Sequence, residues 1–303
     1  MTDGPKDIAA SVRARLSNHA WEHGRPFQEV LQYYAIERFL HRLAVSGHKD
    51  RFILKGGIVF IAWGVPLRRP TRDIDLHGKG ANTVDNLEAV VRNICIQKVE
   101  PDGMRYDPDT VRGEVIQSQA EYEGIRLRFT GYLGTARAYM QIDIGFSDTV
   151  VPPAISVDYP TLLEMPSPRL RAYSYETLIA EKLQAMVFLG SINSRMKDFF
   201  DIWLLTEESK ISGTKLQGAI QATFRNRNTP IPEDTPLALT ETFAEERRQL
   251  WVTFMKRVDL TNPPDFVQVV GELRGFIQPV LEAIKSDANF ARNWTPGTGW
   301  TLN

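Results

Sequence analysis

Between positions 152 and 168 the chain carries Pro152, Pro153, Pro160, Pro166 and Pro168. Each proline removes a backbone donor and fixes φ, so no long helix or strand can run through this stretch. It also separates two hydrophobic periods. Before it, short apolar runs end at glycines: Phe52–Leu54 stops at Gly56-Gly57, and Gly124, Gly131 and Gly134 punctuate expected strands at 113–119, 125–132 and 138–146. Helices are expected there at 27–43, where Val30, Leu31, Tyr34, Phe39, Leu40 and Leu43 recur at three- and four-residue spacing, and at 84–99. After Tyr173 the period turns helical, with expected helices at 175–189, 197–206, 213–224, 240–256 and 264–284. The pattern predicts an α/β module over 1–165 and a mostly helical module over 166–303. The tail from Asn289 reads as loop, with Trp294 and Trp300 packed back onto the body.

The 303 residues are 43% apolar and 24% charged, which is globular and sufficient for a sizeable core. A net charge of −1 excludes a protein that grips nucleic acid with its whole surface; any such contact must be local. The single cysteine, Cys95, excludes an internal disulfide framework and a multi-thiolate metal site. No apolar run is long enough for a membrane span, and Met1 to Ser11 holds no apolar signal core, so a cytoplasmic protein is expected.

The sharpest local signal is Arg69-Pro-Thr-Arg-Asp73-Ile-Asp75-Leu. In a strand, alternate residues share a face, so Asp73 and Asp75 project together while Ile74 enters a core. Two adjacent carboxylates repel unless a cation joins them, and hard oxygens suit Mg²⁺. An Asp-x-Asp pattern alone reads as a solvated strand edge. Upstream, Lys55-Gly56-Gly57 ends a strand and opens a helix, where backbone N–H groups suit phosphate. Asp143, mid-strand among apolar neighbours, is a candidate third carboxylate or general base. Lys55, Arg68, Arg69, Arg72 and Lys79 crowd the same stretch of chain and suit a polyanion. His77 reads as a surface residue, and the remaining histidines have no zinc-ligand spacing.

In the helical part, Glu181-Lys182 interrupts an apolar helix, so Lys182 either snorkels to solvent or reaches a triphosphate. In Arg195-Met-Lys-Asp198-Phe-Phe-Asp201-Ile-Trp203, spacing of three puts Arg195, Asp198 and Asp201 on one helix side, with Phe199 and Trp203 on another. The plainer reading is a surface ion pair worth little.

Taken in order, Phe52-Ile-Leu-Lys-Gly-Gly, Arg69-Pro-Thr-Arg-Asp-Ile-Asp-Leu, Gln141-Ile-Asp-Ile, Ala180-Glu-Lys-Leu-Gln-Ala and Arg195-Met-Lys-Asp-Phe-Phe-Asp-Ile-Trp resemble the AbiEii-type nucleotidyltransferase toxins, which include the mycobacterial MenT toxins. These belong to the polymerase-β-like nucleotidyltransferase superfamily. The resemblance covers about residues 25–205, and the region after 210 matches no recognised pattern. It implies an α+β fold: a polymerase-β-like mixed sheet with flanking helices, then a helical C-terminal module contributing to the active-site cleft. By the same resemblance, Asp73, Asp75 and Asp143 hold Mg²⁺ (or Mn²⁺). Lys55, Gly56, Gly57, Arg69 and Lys182 contact the nucleoside triphosphate, and Asp198 and Asp201 form the last acidic motif. Where many superfamily members place Ser after the glycines, this chain has Ile58. The family's activity is nucleotide transfer from NTP to the tRNA 3′ acceptor end, which blocks aminoacylation and translation, with a cognate antitoxin, often a winged-helix protein, as partner.

Two alternatives stand beside this expectation. The acceptor could be a small aminoglycoside-like molecule or a protein, although a polycation site calls for acidic residues where this chain has Arg68, Arg69 and Arg72. A non-catalytic nucleotide- or partner-binding module is the other; the retained Asp73, Asp75 and Asp143 argue against it.

Overall fold

The computed structural model describes residues 7–66, 68–117 and 123–302. The chain is a mixed α+β protein and divides into two compact units. One comprises residues up to 64, 71–146 and 156–172; the other comprises 65–70, 147–155 and the chain from 173 onward.

The first unit is built on a mixed sheet. Helix α1 (Ile8–Glu22) starts at Asp7, whose carboxylate accepts the Ala10 N–H at 2.9 Å. It buries Val12, Leu16 and Ala20, one per turn. Helix α2 (Phe27–Val45) is buried through most of its length. Then follow β1 (Phe52–Lys55), the short helix α3 (Val59–Ala62), β2 (Ile74–Gly78), α4 (Val84–Cys95), β3 (Met104–Gln117), β4 (Glu123–Leu133), β5 (Ala136–Gly145), β6 (Ile155–Asp158) and β7 (Arg169–Ala172). The strand order is β3-β4-β5-β2-β1-β7-β6. β2 lies parallel to β5 and antiparallel to β1, and β1 lies parallel to β7. Helix α2 packs against β5 and α4 against β3.

β3 begins well before the expected 113, because Pro108 with its flanking aspartates hides the pattern. A register shift between Asp107 and Arg112 absorbs that interruption. Positions 118 and 119 of the expected strand lie outside the described residues. The proline-rich stretch still admits β6 and β7, each only four residues long.

Helix α2 itself carries buried charges. Arg42 grips Asp102 with two bonds of 2.6 and 3.0 Å. Glu37, only 1% exposed, lies 2.8 Å from Arg38 and accepts the Leu162 N–H at 2.7 Å. Burial pushes Glu37 up to about 7, against the opposing pull of Arg38. A carboxyl whose folded value is raised contributes stability in full below its unfolded value of 4.5, and that contribution is lost as pH rises through about 7. Urea midpoints measured from pH 4.5 to 7 will therefore carry a downward component that Glu37→Gln removes. An unchanged pH dependence in the variant would assign that component elsewhere. The Cys95 thiol is buried and pushed up to about 12, which leaves it inert at neutral pH.

The second unit is mostly helical: α5 (Tyr175–Leu189), α6 (Met196–Glu208), the two-residue strand β8 (Ile211–Ser212), α7 (Gly213–Asn226), α8 (Glu241–Met255) and α9 (Phe266–Lys285). Its core is aromatic. Trp251 stacks on Phe266 at 4.9 Å, and Phe199 meets the Phe266 ring edge-on at 5.1 Å.

The tail corrects the sequence expectation, because it is a hairpin and not a loop. Strands β9 (Arg292–Thr295) and β10 (Gly299–Leu302) pair antiparallel with Trp294 opposite Trp300. The turn between them uses Gly297 at φ +71°. The tryptophans do pack back as expected. Trp300 stacks on Phe276 at 5.2 Å and donates its indole N–H to the Phe276 carbonyl at 2.9 Å; Trp294 donates to the Thr206 carbonyl at 2.8 Å.

Candidate active site

The sheet unit sets four charged residues in a row. Asp75 on β2 pairs in register with Lys55 on β1 and with Asp143 on β5, and Asp143 pairs with Arg126 on β4. Paired residues on neighbouring strands share a face, so the order across four strands is cation, carboxylate, carboxylate, cation. Asp73 sits one residue before β2; it and Asp75 are half-buried, while Ile74 and Leu76 are buried on the other side. The expected alternation therefore holds, although the strand itself starts at Ile74.

Gly56 follows β1 at φ +67°, a conformation that L side chains avoid. A Cβ built there would stand 1.9 Å from the Asp75 Oδ2. The backbone thus lies directly against the carboxylate, and only glycine permits it. Ile58, which follows the glycine pair, is fully buried and serves the core.

Arg126 is the residue that sequence reasoning missed. Its Nε and Nη2 donate to both carboxylate oxygens of Asp143 at 2.8 and 2.6 Å. The Asp143 carboxylate holds Arg126 above the usual arginine range, and the Asp73 charge adds to the effect. The signal was present in Ile125-Arg126-Leu127-Arg128, which alternates as a strand does, but pairing Arg126 with Asp143 requires the register. Among the described residues, no three His, Cys, Asp or Glu side chains stand together as a ready metal cage. The donor chemistry nonetheless fits a hard cation: Asp75 and Asp143 are adjacent in register, with Asp73 beside them.

The helical unit holds a second charged cluster. Lys182 on α5 is 9% exposed, and its Nζ lies 2.7 Å from Asp198 Oδ1 and 2.8 Å from Asp201 Oδ2, both on α6. Asp198 also accepts Arg195 Nε at 2.5 Å. Asp201 accepts the fork of Arg69, with Nε and Nη2 both at 2.7 Å. Burial alone would lower Lys182, but the two carboxylates outweigh it and hold the ammonium above the usual lysine range. Burial would raise both aspartates; Lys182 outweighs it, joined by Arg195 at Asp198 and by Arg69 at Asp201, and both fall below the usual carboxylate range.

The expected residues thus fall in two places. Lys55, Gly56, Gly57, Asp73, Asp75 and Asp143 lie in the sheet unit, whereas Arg69, Lys182, Asp198 and Asp201 lie in the helical unit. The reading of Arg195–Asp198 as a surface pair is corrected, because Asp198 is fully buried. His77 is corrected too: it is 5% exposed, since β2 runs inside the sheet between β1 and β5.

The family model for the nucleotidyl transferase AbiEii toxin of type IV toxin–antitoxin systems matches residues 38–272, more than half of the chain and every motif from Phe52 to Trp203. The chain belongs to the AbiEii nucleotidyltransferase toxin family. The match runs well past 210, where the motif resemblance stopped, so α7, α8 and the first part of α9 fall within the family's span. Family membership makes the chain a nucleotidyltransferase of a toxin–antitoxin system, with an NTP and an antitoxin as its implied partners. No curated protein matches it. Among solved structures it is similar to JHP933 from Helicobacter pylori, with 14% identity over 86% of this chain and 94% of that one and a TM-score of 0.47. It is also similar to MenT4, a nucleotidyltransferase toxin from Mycobacterium tuberculosis H37Rv, with 13% identity over 90% and 98% of the two chains and a TM-score of 0.49. No helix among the described residues is long and apolar enough to cross a membrane.

Proposed function

We propose that this toxin transfers the nucleotidyl group of a nucleoside triphosphate to the 3′ acceptor end of tRNA. A tRNA so extended cannot be aminoacylated, and translation stops until a cognate antitoxin, of winged-helix type, intervenes. The observation that carries the reading is the carboxylate pair Asp75 and Asp143, in register on parallel strands, with the Gly56 backbone pressed against Asp75.

In this reading the backbone after β1, at Gly56 and Gly57, receives phosphate oxygens, as N–H groups at a tight glycine turn can. Asp73 and Asp75, with Asp143, would hold Mg²⁺ or Mn²⁺. Such an ion, when bound, supplies charge stabilisation to the triphosphate and acidifies the attacking hydroxyl. The tRNA 3′-hydroxyl attacks the α-phosphorus and pyrophosphate leaves. Lys182 is the nucleotide-contacting lysine; Asp198 and Asp201 act through it, by fixing its ammonium. Arg69 has its fork committed to Asp201, so its contribution to the nucleotide is also indirect.

Support for an RNA acceptor over a polycationic drug comes from the basic residues Arg68, Arg72 and Lys79. Incubation of the purified protein with Mg²⁺, each labelled NTP in turn and either total tRNA or an aminoglycoside, beside Asp73→Ala, tests this. Label on tRNA with the native protein and none with the variant is expected. Label on an aminoglycoside and not on tRNA would overturn the acceptor assignment.

A further inference from the structure

The guanidinium of Arg126 occupies both oxygens of Asp143, the carboxylate assigned above to the cation. We propose that Arg126 is a resident counter-ion that competes with the divalent cation for Asp143, so that metal loading requires its displacement. This rests on the reading of Asp73, Asp75 and Asp143 as the metal-holding set.

The charge balance of the row supports it. Lys55, Asp75, Asp143 and Arg126 sum to zero; Glu114, which faces Arg126 from β3, is neutralised by Arg128 at 2.7 Å, and Asp73 leaves the neighbourhood with a single negative charge. A divalent cation added with Arg126 in place overcharges the row. Added with Arg126 swung away, it does not. Arginine stays charged at every accessible pH, so the competition cannot be relieved by deprotonation. It can be relieved by movement. The Arg126 side chain is 29% exposed against 19% for Asp143, so its solvent side is open while the carboxylate stays fixed in the strand. Arg126 is thus a positioning residue: it keeps the carboxylate row ordered and electrically balanced until the metal arrives.

The test is Mn²⁺ titration without nucleotide, read by the EPR signal of free Mn²⁺. It is run on the native protein, Arg126→Gln, Arg126→Lys, and Asp73→Asn in the native and Arg126→Gln backgrounds. Thermal unfolding confirms that each variant is folded. The expected result is that Arg126→Gln binds Mn²⁺ about tenfold more tightly than native, the scale of a shift of about 1.4 kcal/mol. Arg126→Lys, which keeps charge but loses the fork, falls between them, and Asp73→Asn cancels the gain. If the native protein binds Mn²⁺ through Asp73 while Arg126→Gln binds equally or more weakly, the competition is refuted and the transferase reading stands. If neither binds Mn²⁺ measurably, the carboxylate set is not a metal site and both fall.

Discussion

Asp198→Asn will cost about 3–5 kcal/mol of stability, the scale of breaking a buried ion pair by removing one partner. Asp198 is fully buried and accepts from both Lys182 and Arg195. Asparagine keeps the shape, so no cavity contributes. What is lost is the charge that compensates a buried ammonium; Asp201 remains to Lys182, already shared with Arg69. Urea unfolding of native and variant measures the difference, and a loss below about 1 kcal/mol would place the cluster with ordinary surface pairs. The pH dependence has a definite sign. Both aspartates are depressed in the folded state, so their contribution is present above the usual carboxylate value and is lost as pH falls below it. Asp198→Asn removes part of that acid-side loss. Replacing Lys182 and Asp198 together by Met and Leu is expected to cost less than either single change, because Asp201 keeps Arg69 and the partly exposed Arg195 can turn to solvent.

Gly56→Ala will leave the protein folded and reduce nucleotide transfer by about a hundredfold, the scale of a misplacement near 1 Å at a reacting centre. The added Cβ would fall 1.9 Å from Asp75 Oδ2, so either the carboxylate or the turn must move. Alanine at φ +67° is strained as well. The effect concentrates on Asp75, one of the two inner members of the row. Steady-state transfer to tRNA, measured beside a melting curve, separates loss of geometry from loss of fold. Near-native transfer by a folded Gly56→Ala would show that Asp75 is not held in its working position by this contact.

How much could be read from the sequence varied with how local the signal was. Helix α5 matches its expected span residue for residue, because an apolar period of that length has no competing explanation. The glycine turn, the Asp73–Asp75 alternation and the common side of Arg195, Asp198 and Asp201 were legible for the same reason: spacing along one element fixes them. Long-range pairing was not legible. That Asp75 lies beside Asp143, and that Arg126 clasps the latter, depends on β5 running parallel to β2 with β4 on its far side. The first helix was missed because Val12, Leu16 and Ala20 give only one apolar position per turn. The tail hairpin was missed because its strands are four residues long and the cohesion comes from Phe276 and Phe290, outside both strands.

The central claim, that the carboxylate row serves nucleotidyl transfer to tRNA, is tested most directly by offering the protein total tRNA with Mg²⁺ and an NTP labelled either at the α- or at the γ-phosphate. The account predicts label on the tRNA 3′ end from the α-labelled NTP alone, with the γ-label released as pyrophosphate and no transfer by Asp73→Ala. Label retained from the γ-position would mean phosphoryl transfer, and no label from any NTP would mean that tRNA is not the acceptor; either result would contradict it.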